Sequence, residues 1–505
     1  ENSIDDFANS LAANFASSTD AELAAIVTGN LGLTGGALTA GNAYLEAQFT
    51  ANSAARGKVI LDAMNTLSGM ESDAVYGAAA TLYNADVTAS LVYSQVAANT
   101  TVTTSDAATD VDAVATFTLT TGTDSLTGTA SNETFSAGEG AAGVATLTAG
   151  DSIDGGAGTD TIKFIETDAI TGLPTGATIS NVENFTIIGG NDVTFDSSSI
   201  SGLTTLQATT AGATGDQVLT AAATTDITSI VTLQADQTIS LQGGKDISGT
   251  YTGATTSTIT IGGTTAPAGT VTTSKTMAYV GANADVAGGT TAVTGGTTQS
   301  ITQSAGVTAA QDTAALALTN NATVTQGNIT ATGGSATTAI TVTQDATVAQ
   351  DNTAGSGAVG ITAGTVTIAD TNAASTTAAG TLATVTLDNY GNSTIDSSAL
   401  TTVNLSGVAG TLGISRGGLD ATPTANTLTL NLNGVTGTNT ITDSEATGDD
   451  GFTTIALAGN TTASTIDSLI AADATTLTAS GDAKITLTAH TMAALTSITV
   501  TNTGG

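Results

Sequence analysis

Asp124, Glu133, Asp151 and Asp160 fall on a single register of nine residues, with Ala142 in the remaining place. Two residues after each position comes an apolar side chain: Leu126, Phe135, Val144, Ile153 and Ile162. Carboxylates set into glycine-rich turns supply hard oxygen ligands, which suits calcium, an ion that takes about 6–8 oxygens. Glycine permits the positive φ that brings backbone carbonyls close to such an ion. The candidate metal ligands are therefore Asp124, Glu133, Asp151, Asp154, Gly155, Gly156, Gly158 and Asp160, and calcium is the expected cofactor.

The last turn, Gly155-Gly156-Ala157-Gly158-Thr159-Asp160-Thr161-Ile162-Lys163, has the form Gly-Gly-x-Gly-x-Asp-x-apolar-x. It resembles the nonapeptide of the RTX (repeats-in-toxin) proteins, and the earlier turns match through register. That resemblance implies a parallel β-roll in which six residues turn, three form a strand, and successive turns alternate sides. Ligands that share an ion should then lie eighteen residues apart. Glu133 and Asp151 have that spacing and are expected to hold the stronger ion, with carbonyls of Gly128, Thr129 and Ser131 completing its shell. Asp124 and Asp160 lack a complete neighbour because Ala142 stands between them, so Asp160, facing Gly138 and Gly140, is expected to bind more weakly. The competing reading is a glycine-rich β-segment with solvated acidic turns.

Little else in the sequence could do chemistry. His490 is the one histidine, cysteine is lacking, and a Ser-His-Asp arrangement would have to use that histidine. An exposed or strand-end imidazole is the expectation. Arg56 and Lys58 form the one close basic pair, in a segment that also carries Tyr44, Tyr76 and Tyr83. They could meet an anionic surface glycan or simply form a solvated helix face.

Positioning these residues requires two kinds of structure. Thr19-Asp20-Ala21-Glu22 is a capping box, followed by Leu23, Ile26, Val27 and Leu31 at helical spacing, so a helix should start near Thr19. Further apolar stripes run through Tyr44, Leu45 and Phe49; through Val59, Ile60, Met64 and Leu67; and through Val75, Tyr76, Ala79, Leu82 and Tyr83. Residues 1–98 read as an α-helical domain and 99–112 as a polar linker. Residues 113–165 read as the β-roll and 166–505 as a threonine-rich β-solenoid or stacked β-sandwich region. Threonine is sparse before residue 100 and abundant after it, and its β-branched side chain suits strands. The phrases Phe195-Asp196-Ser197-Ser198-Ser199-Ile200, Ile395-Asp396-Ser397-Ser398-Ala399-Leu400 and Ile466-Asp467-Ser468-Leu469 recur without a fixed period. Repetition of this kind, with only 3 prolines and 3% aromatic residues, favours a solenoid with a thin core.

Composition narrows the partners. Seven Lys+Arg against 43 Asp+Glu give a formal net charge of −36, which repels phosphate backbones, so nucleic acid is not expected. No apolar run is long enough for a transmembrane helix. The chain begins at Glu1, consistent with a removed leader or a start inside a longer protein. The alanine-rich helical start, the RTX-like turns and the Thr/Ala/Gly-rich β-region together are similar in layout to bacterial S-layer proteins of the RTX-related secreted group. The resemblance implies an extracellular, cell-surface structural protein that self-assembles into a calcium-dependent lattice, anchored to polysaccharide through the helical part. A calcium-stiffened adhesin or biofilm-matrix fibre is the alternative. A β-helix polysaccharide lyase would need a cationic groove that five lysines and two arginines do not readily build.

Overall fold

The computed structural model describes residues 18–504, apart from 32, 34, 54, 71–72, 74, 78, 81–82, 85–114, 140–142, 211–214, 254–255, 280–285, 309–321, 350–358, 418–425 and 444–450. The chain divides into two compact units, residues 1–115 and 116–505. The expected linker 99–112 lies outside the described residues, as does Leu82 of the last apolar stripe.

The first unit contains α1 (Asp20–Asn30), α2 (Gly35–Ala51) and α3 (Arg56–Ser68). The capping box holds α1 at its start: Glu22 N–H donates to Thr19 Oγ1 at 3.2 Å, and Thr19 N–H donates to Glu22 Oε2 at 2.8 Å. Leu23, Ala24, Val27, Leu45, Phe49 and Val59 bury their side chains together between the helices. Tyr76 and Tyr83 pack on a separate cluster around Leu33, Leu67 and Ala80.

The second unit is mainly β, a solenoid of parallel strands. Every second strand along the chain, and every third between Thr270–Tyr279 and Thr384–Tyr390, joins one 16-stranded sheet, from Ala115–Thr118 to Ser497–Val500. The strands between them build a 12-stranded sheet, from Val193–Asp196 to Ile485–Thr491, and ahead of it a three-stranded sheet of Ser125–Thr127, Ser152–Asp154 and Thr178–Ser180. At about 4.8 Å per rung the long sheet extends roughly 70 Å. Parallel stacking decides between the two β architectures expected from the sequence in favour of the solenoid. It also makes the expected roll continuous with the later coils, because Glu133–Ala137, Thr161–Glu166 and Asn184–Gly189 are consecutive rungs of one sheet.

Alternation fixes the core. In Thr161–Glu166, Ile162 and Phe164 point inward, and the next rungs stack Phe185 and Ile187 on them. One inward column runs Phe135, Ile162, Phe185, Leu206, Ile227, Ile247, Val271. Coil length is irregular: Thr384 pairs with Thr402, 18 residues on, whereas Ala339 pairs with Thr384, 45 on. The longest coils add a second three-stranded sheet, Val286–Ala287, Ala322–Thr325 and Val359–Thr362. The first two copies of the recurring phrase are corners. Asp196 and Asp396 end short-sheet strands, Ser197 and Ser397 are fully buried, and the N–H groups of Ile200 and Leu400 close turns onto their carbonyls. The third copy lies within the strand Ser464–Ile470, with its corner a few residues later at Ala471–Ala474.

Candidate functional site

The nine-residue register places Leu126, Phe135, Ile153 and Ile162 on the core but leaves Val144 half exposed and outside any strand, and each coil holds three nonapeptides rather than two. Leu126 stacks on Ile153 and Phe135 on Ile162, both 27 residues apart. Glu133 and Asp151 therefore stand in different columns, on different sheets. The columns that form are Asp124 with Asp151, and Glu133 with Asp160 and Glu183. The expected eighteen-residue partnership fails because a complete coil here needs two strands and three turns before it returns to the same sheet.

Within each column a carboxylate accepts the backbone N–H of its counterpart one coil earlier. Asp124 N–H donates to Asp151 Oδ1 at 2.8 Å, Glu133 N–H to Asp160 Oδ1 at 2.6 Å, and Asp160 N–H to Glu183 Oε2 at 2.7 Å. The turn within the same coil takes the other oxygens. Thr148 N–H donates to Asp151 Oδ2 at 2.6 Å, Thr129 N–H to Glu133 Oε2 at 3.0 Å, and Thr120 N–H to Asp124 Oδ2 at 2.7 Å. These acids cap strand starts whose N–H groups the corner leaves over, a structural duty that any ion-binding role must share.

Asp160 departs from this pattern. It is fully buried, and its Oδ2 accepts no hydrogen bond. Burial, aided by the charges of Glu133 and Glu183, pushes its carboxyl above the ordinary range. A Cβ added to Gly155 would lie 2.6 Å from that Oδ2 and 1.8 Å from the Asn181 carbonyl oxygen, so the glycine leaves a cradle on which two oxygens converge. Gly128 builds the same cradle one coil earlier, with Glu133 Oε2 at 2.7 Å and the Gly155 oxygen at 2.0 Å from its Cβ position, but there Oε2 already has its donor. Gly156 and Gly158 adopt φ of +92° and +127° and press against the Thr129 and Ser131 carbonyls.

In kind, the donor set at Asp160 fits a hard cation: a buried carboxylate oxygen without a hydrogen-bond donor, two more carboxylates acting on its charge, and a carbonyl beside it. Among the described residues no three acidic or histidine side chains close on one point, so carbonyls and water would have to complete any shell. Of Glu133, Asp151 and Asp160, Asp160 is the one with a buried oxygen that no donor reaches. Asp154 serves elsewhere, accepting from Gly156 N–H at 3.1 Å and Asn181 Nδ2 at 2.7 Å. Gly138 follows the strand that Glu133 begins, so it lies at the far end from Asp160, and its carbonyl accepts from Thr146. Gly140 and Ala142 lie outside the described residues.

Sequence reasoning missed Glu183. The nine-residue register ends at Lys163, and Glu183 comes 23 residues after Asp160. The local spacing carried the signal nonetheless, since Glu133-x-Phe135, Asp160-x-Ile162 and Glu183-x-Phe185 all put the acid two residues before the first inward side chain.

Of the other candidates, His490 is exposed in the last strand of the 12-stranded sheet. Arg56 is committed to Asp20 and donates to the Ser18 carbonyl, which takes it away from any surface ligand. Lys58 pairs with Asp62 at 2.8 Å, and both line a groove of about 260 Å³ with Tyr44, Gln48 and Asn52. No helix among the described residues is long and apolar enough to cross a membrane. Comparison with protein-family models and with curated proteins finds no match for the chain.

Proposed function

We propose that this chain is an extracellular structural protein that self-assembles into a calcium-dependent surface layer, the reading that its resemblance in layout to RTX-related S-layer proteins implies. The observation that carries it is the uninterrupted 16-stranded face, a surface of about 70 Å lined by polar ladders such as Thr186, Gln207, Thr228, Ser248 and Thr272. On its outer side Ile165, Ile188 and Ile230 are each about 40% exposed and stand close along the sheet, Ile165 directly beside Ile188. Apolar residues grouped on an otherwise polar sheet suit packing against another protein surface. With a net charge of −36, subunits repel at range, and a divalent ion offsets that repulsion where monovalent salt only screens it. Calcium would sit at Asp160, held by its Oδ2 with neighbouring carboxylates and carbonyls, and would relieve the burial of that charge.

The helical unit is assigned the anchoring role. An exposed tyrosine ring, two side-chain amides and the Lys58–Asp62 pair around one groove offer the stacking and hydrogen-bonding chemistry that a surface polysaccharide requires. A fibre or adhesin subunit is the second reading, favoured by the same long ladder of in-register parallel strands.

Electron microscopy of the purified chain separates these readings. Planar sheets with calcium, and dispersed particles in chelator with about 0.15 M sodium chloride, are expected. Filaments would select the fibre, and order in chelator would sink the dependence on calcium. Asp160→Asn, which keeps an oxygen for Glu133 N–H, should lose the thermal stabilisation that calcium gives at this position.

A further inference from the structure

The hydrophobic core of the helical unit is in two pieces, one around Leu45 and Phe49 and the other around Leu33 and Leu67, with Leu31 packed on both. A cavity of about 270 Å³ lies between them, walled by Leu31, Leu33, Leu45, Ala63, Leu67 and Met70 and reaching the surface at Tyr44, which is 56% exposed. Among the described residues no charged side chain lines it. The two threonine hydroxyls of its wall are spent on their own helices: Thr28 Oγ1 donates to the Ala24 carbonyl at 2.9 Å and Thr66 Oγ1 to the Asp62 carbonyl at 2.7 Å. Gly41 is part of the same wall, where a Cβ would lie 2.8 Å from Leu33 Cδ2.

Protein interiors seldom leave voids larger than a water molecule, and water gains little in a space that offers it no partners. An apolar ligand gains from both facts. A dry cavity of about 150 Å³ holds one benzene, so this one takes nearly twice that, the volume of an alkyl chain of about ten carbons. Met70, with its unbranched and adaptable side chain, lets the wall mould to such a chain. At the mouth the chemistry changes. Tyr44 is shared with the neighbouring groove, where Gln48 and Asn52 offer amides and Lys58 is matched by Asp62. A head group leaving the cavity there meets hydrogen-bonding partners and a balanced charge, which suits a neutral polar group.

We propose that the helical unit binds an amphiphile, a single alkyl or acyl chain of about ten carbons seated in this cavity with an uncharged, hydroxyl-bearing head in the groove beside Tyr44. The cavity carries the site, which rests on neither the lattice nor the polysaccharide reading, because a sugar polymer has no chain to fill it.

The test is titration calorimetry of the full chain with alkyl maltosides kept below their micelle concentrations. Affinity should rise about fourfold per methylene from hexyl to decyl and level off beyond, where the cavity is full. Ala63→Leu puts a larger side chain into the cavity and should weaken decyl maltoside roughly tenfold or more, with helical content and melting temperature kept or raised. Affinity that does not depend on chain length, or that keeps climbing through dodecyl and tetradecyl, would overturn the site. Undiminished binding by folded Ala63→Leu would do the same, and if that variant does not fold, the chain-length series on the parent decides alone. Maltose bound as tightly as decyl maltoside would overturn the chain's part in binding and leave the groove to a sugar. Vesicles of phosphatidylcholine carrying decyl maltoside separate the two sources of such a chain: flotation of the protein with them places it in a membrane, and binding to the monomeric maltoside alone places it in solution.

Discussion

The acidic coils between residues 120 and 190 and the coils between 245 and 370 solve opposite problems. In the first, corners leave backbone N–H groups over, and carboxylates accept them: Asp151 from Asp124 and Thr148, Asp160 from Glu133, Glu183 from Asp160. In the second, Asp246 and Asp370 still take N–H groups, but long insertions add the opposite need, carbonyls left over that buried donors reach. Lys275 Nζ donates to the Ser257 oxygen at 3.1 Å and the Gly289 oxygen at 3.4 Å. Gln299 Nε2 donates to the Gly295 and Thr332 oxygens at 2.8 Å each, and Gln326 Nε2 to the Gln303 and Asp345 oxygens at 3.0 and 2.8 Å. The polar residue at a solenoid corner is thus chosen by the backbone group that the corner cannot pair. Charge follows from that choice, so an acidic register need not by itself mean an ion.

The sharpest way to break this comparison is Asp151→Ala. It strips a buried acceptor from the N–H groups of Asp124 and Thr148 and from the Thr148 hydroxyl, at 2.8, 2.6 and 3.2 Å. Each stranded buried donor costs about 1–3 kcal/mol, so a loss of about 3 kcal/mol is expected, with faster amide exchange at both residues. The loss should be the same in chelator as in calcium. A loss seen only with calcium would show that Asp151 serves an ion before it serves the backbone.

This division explains what was legible in the sequence. Inward residues repeat with a period that local spacing reveals, so the strands holding Phe135, Ile153 and Ile162, the parallel solenoid and the capped α1 could be anticipated. The number of turns per coil could not. A period of nine is equally consistent with two or three turns per circuit, and only the stacking of Leu126 on Ile153 and of Phe135 on Ile162 distinguishes them. The partners of Asp160 were hidden for the same reason. The buried Lys275 likewise carries no local mark.

Lys275 gives the second test. Its ammonium is held in the core between carbonyls, and desolvation lowers its pKa to about 8. The unfolded chain keeps that proton up to about 10.4. Between these values the unfolded state binds more protons, so stability should rise with pH from about 8 to 10, by an amount on the order of 3 kcal/mol. Below pH 8 the penalty is fully present. Above pH 10 the trend should reverse, because burial holds the hydroxyls of Tyr251 and Tyr390 protonated while those of the unfolded chain ionise. Lys275→Met should flatten the rise between pH 8 and 10 in urea unfolding and be nearly neutral at pH 7, where the loss of two hydrogen bonds offsets relief of the buried charge. A rise that survives the substitution would assign it to another group.

The smallest effect expected is at a polar ladder that replaces no backbone partner. On the outer face of the long sheet Asn404 Nδ2 donates to Thr386 Oγ1 at 2.9 Å and Asn431 Nδ2 donates to Asn404 Oδ1 at 2.8 Å. Thr386, Asn404 and Asn431 stand in register on successive rungs, and their main-chain groups lie within the paired sheet. Water can take up whatever the side chains lose, so a cross-strand pair of this kind contributes only about 0.2–1 kcal/mol. Asn404→Ala should cost about 0.5 kcal/mol, and Asn404→Thr, which restores a β-branched side chain to the ladder, should cost nothing measurable. The contrast with Asp151 is then about sixfold, for side chains that accept or donate at nearly equal distances. If Asn404→Ala instead cost as much as Asp151→Ala, the ladder itself would hold the rungs together, and the distinction between corners that complete the backbone and faces that merely decorate it would fail.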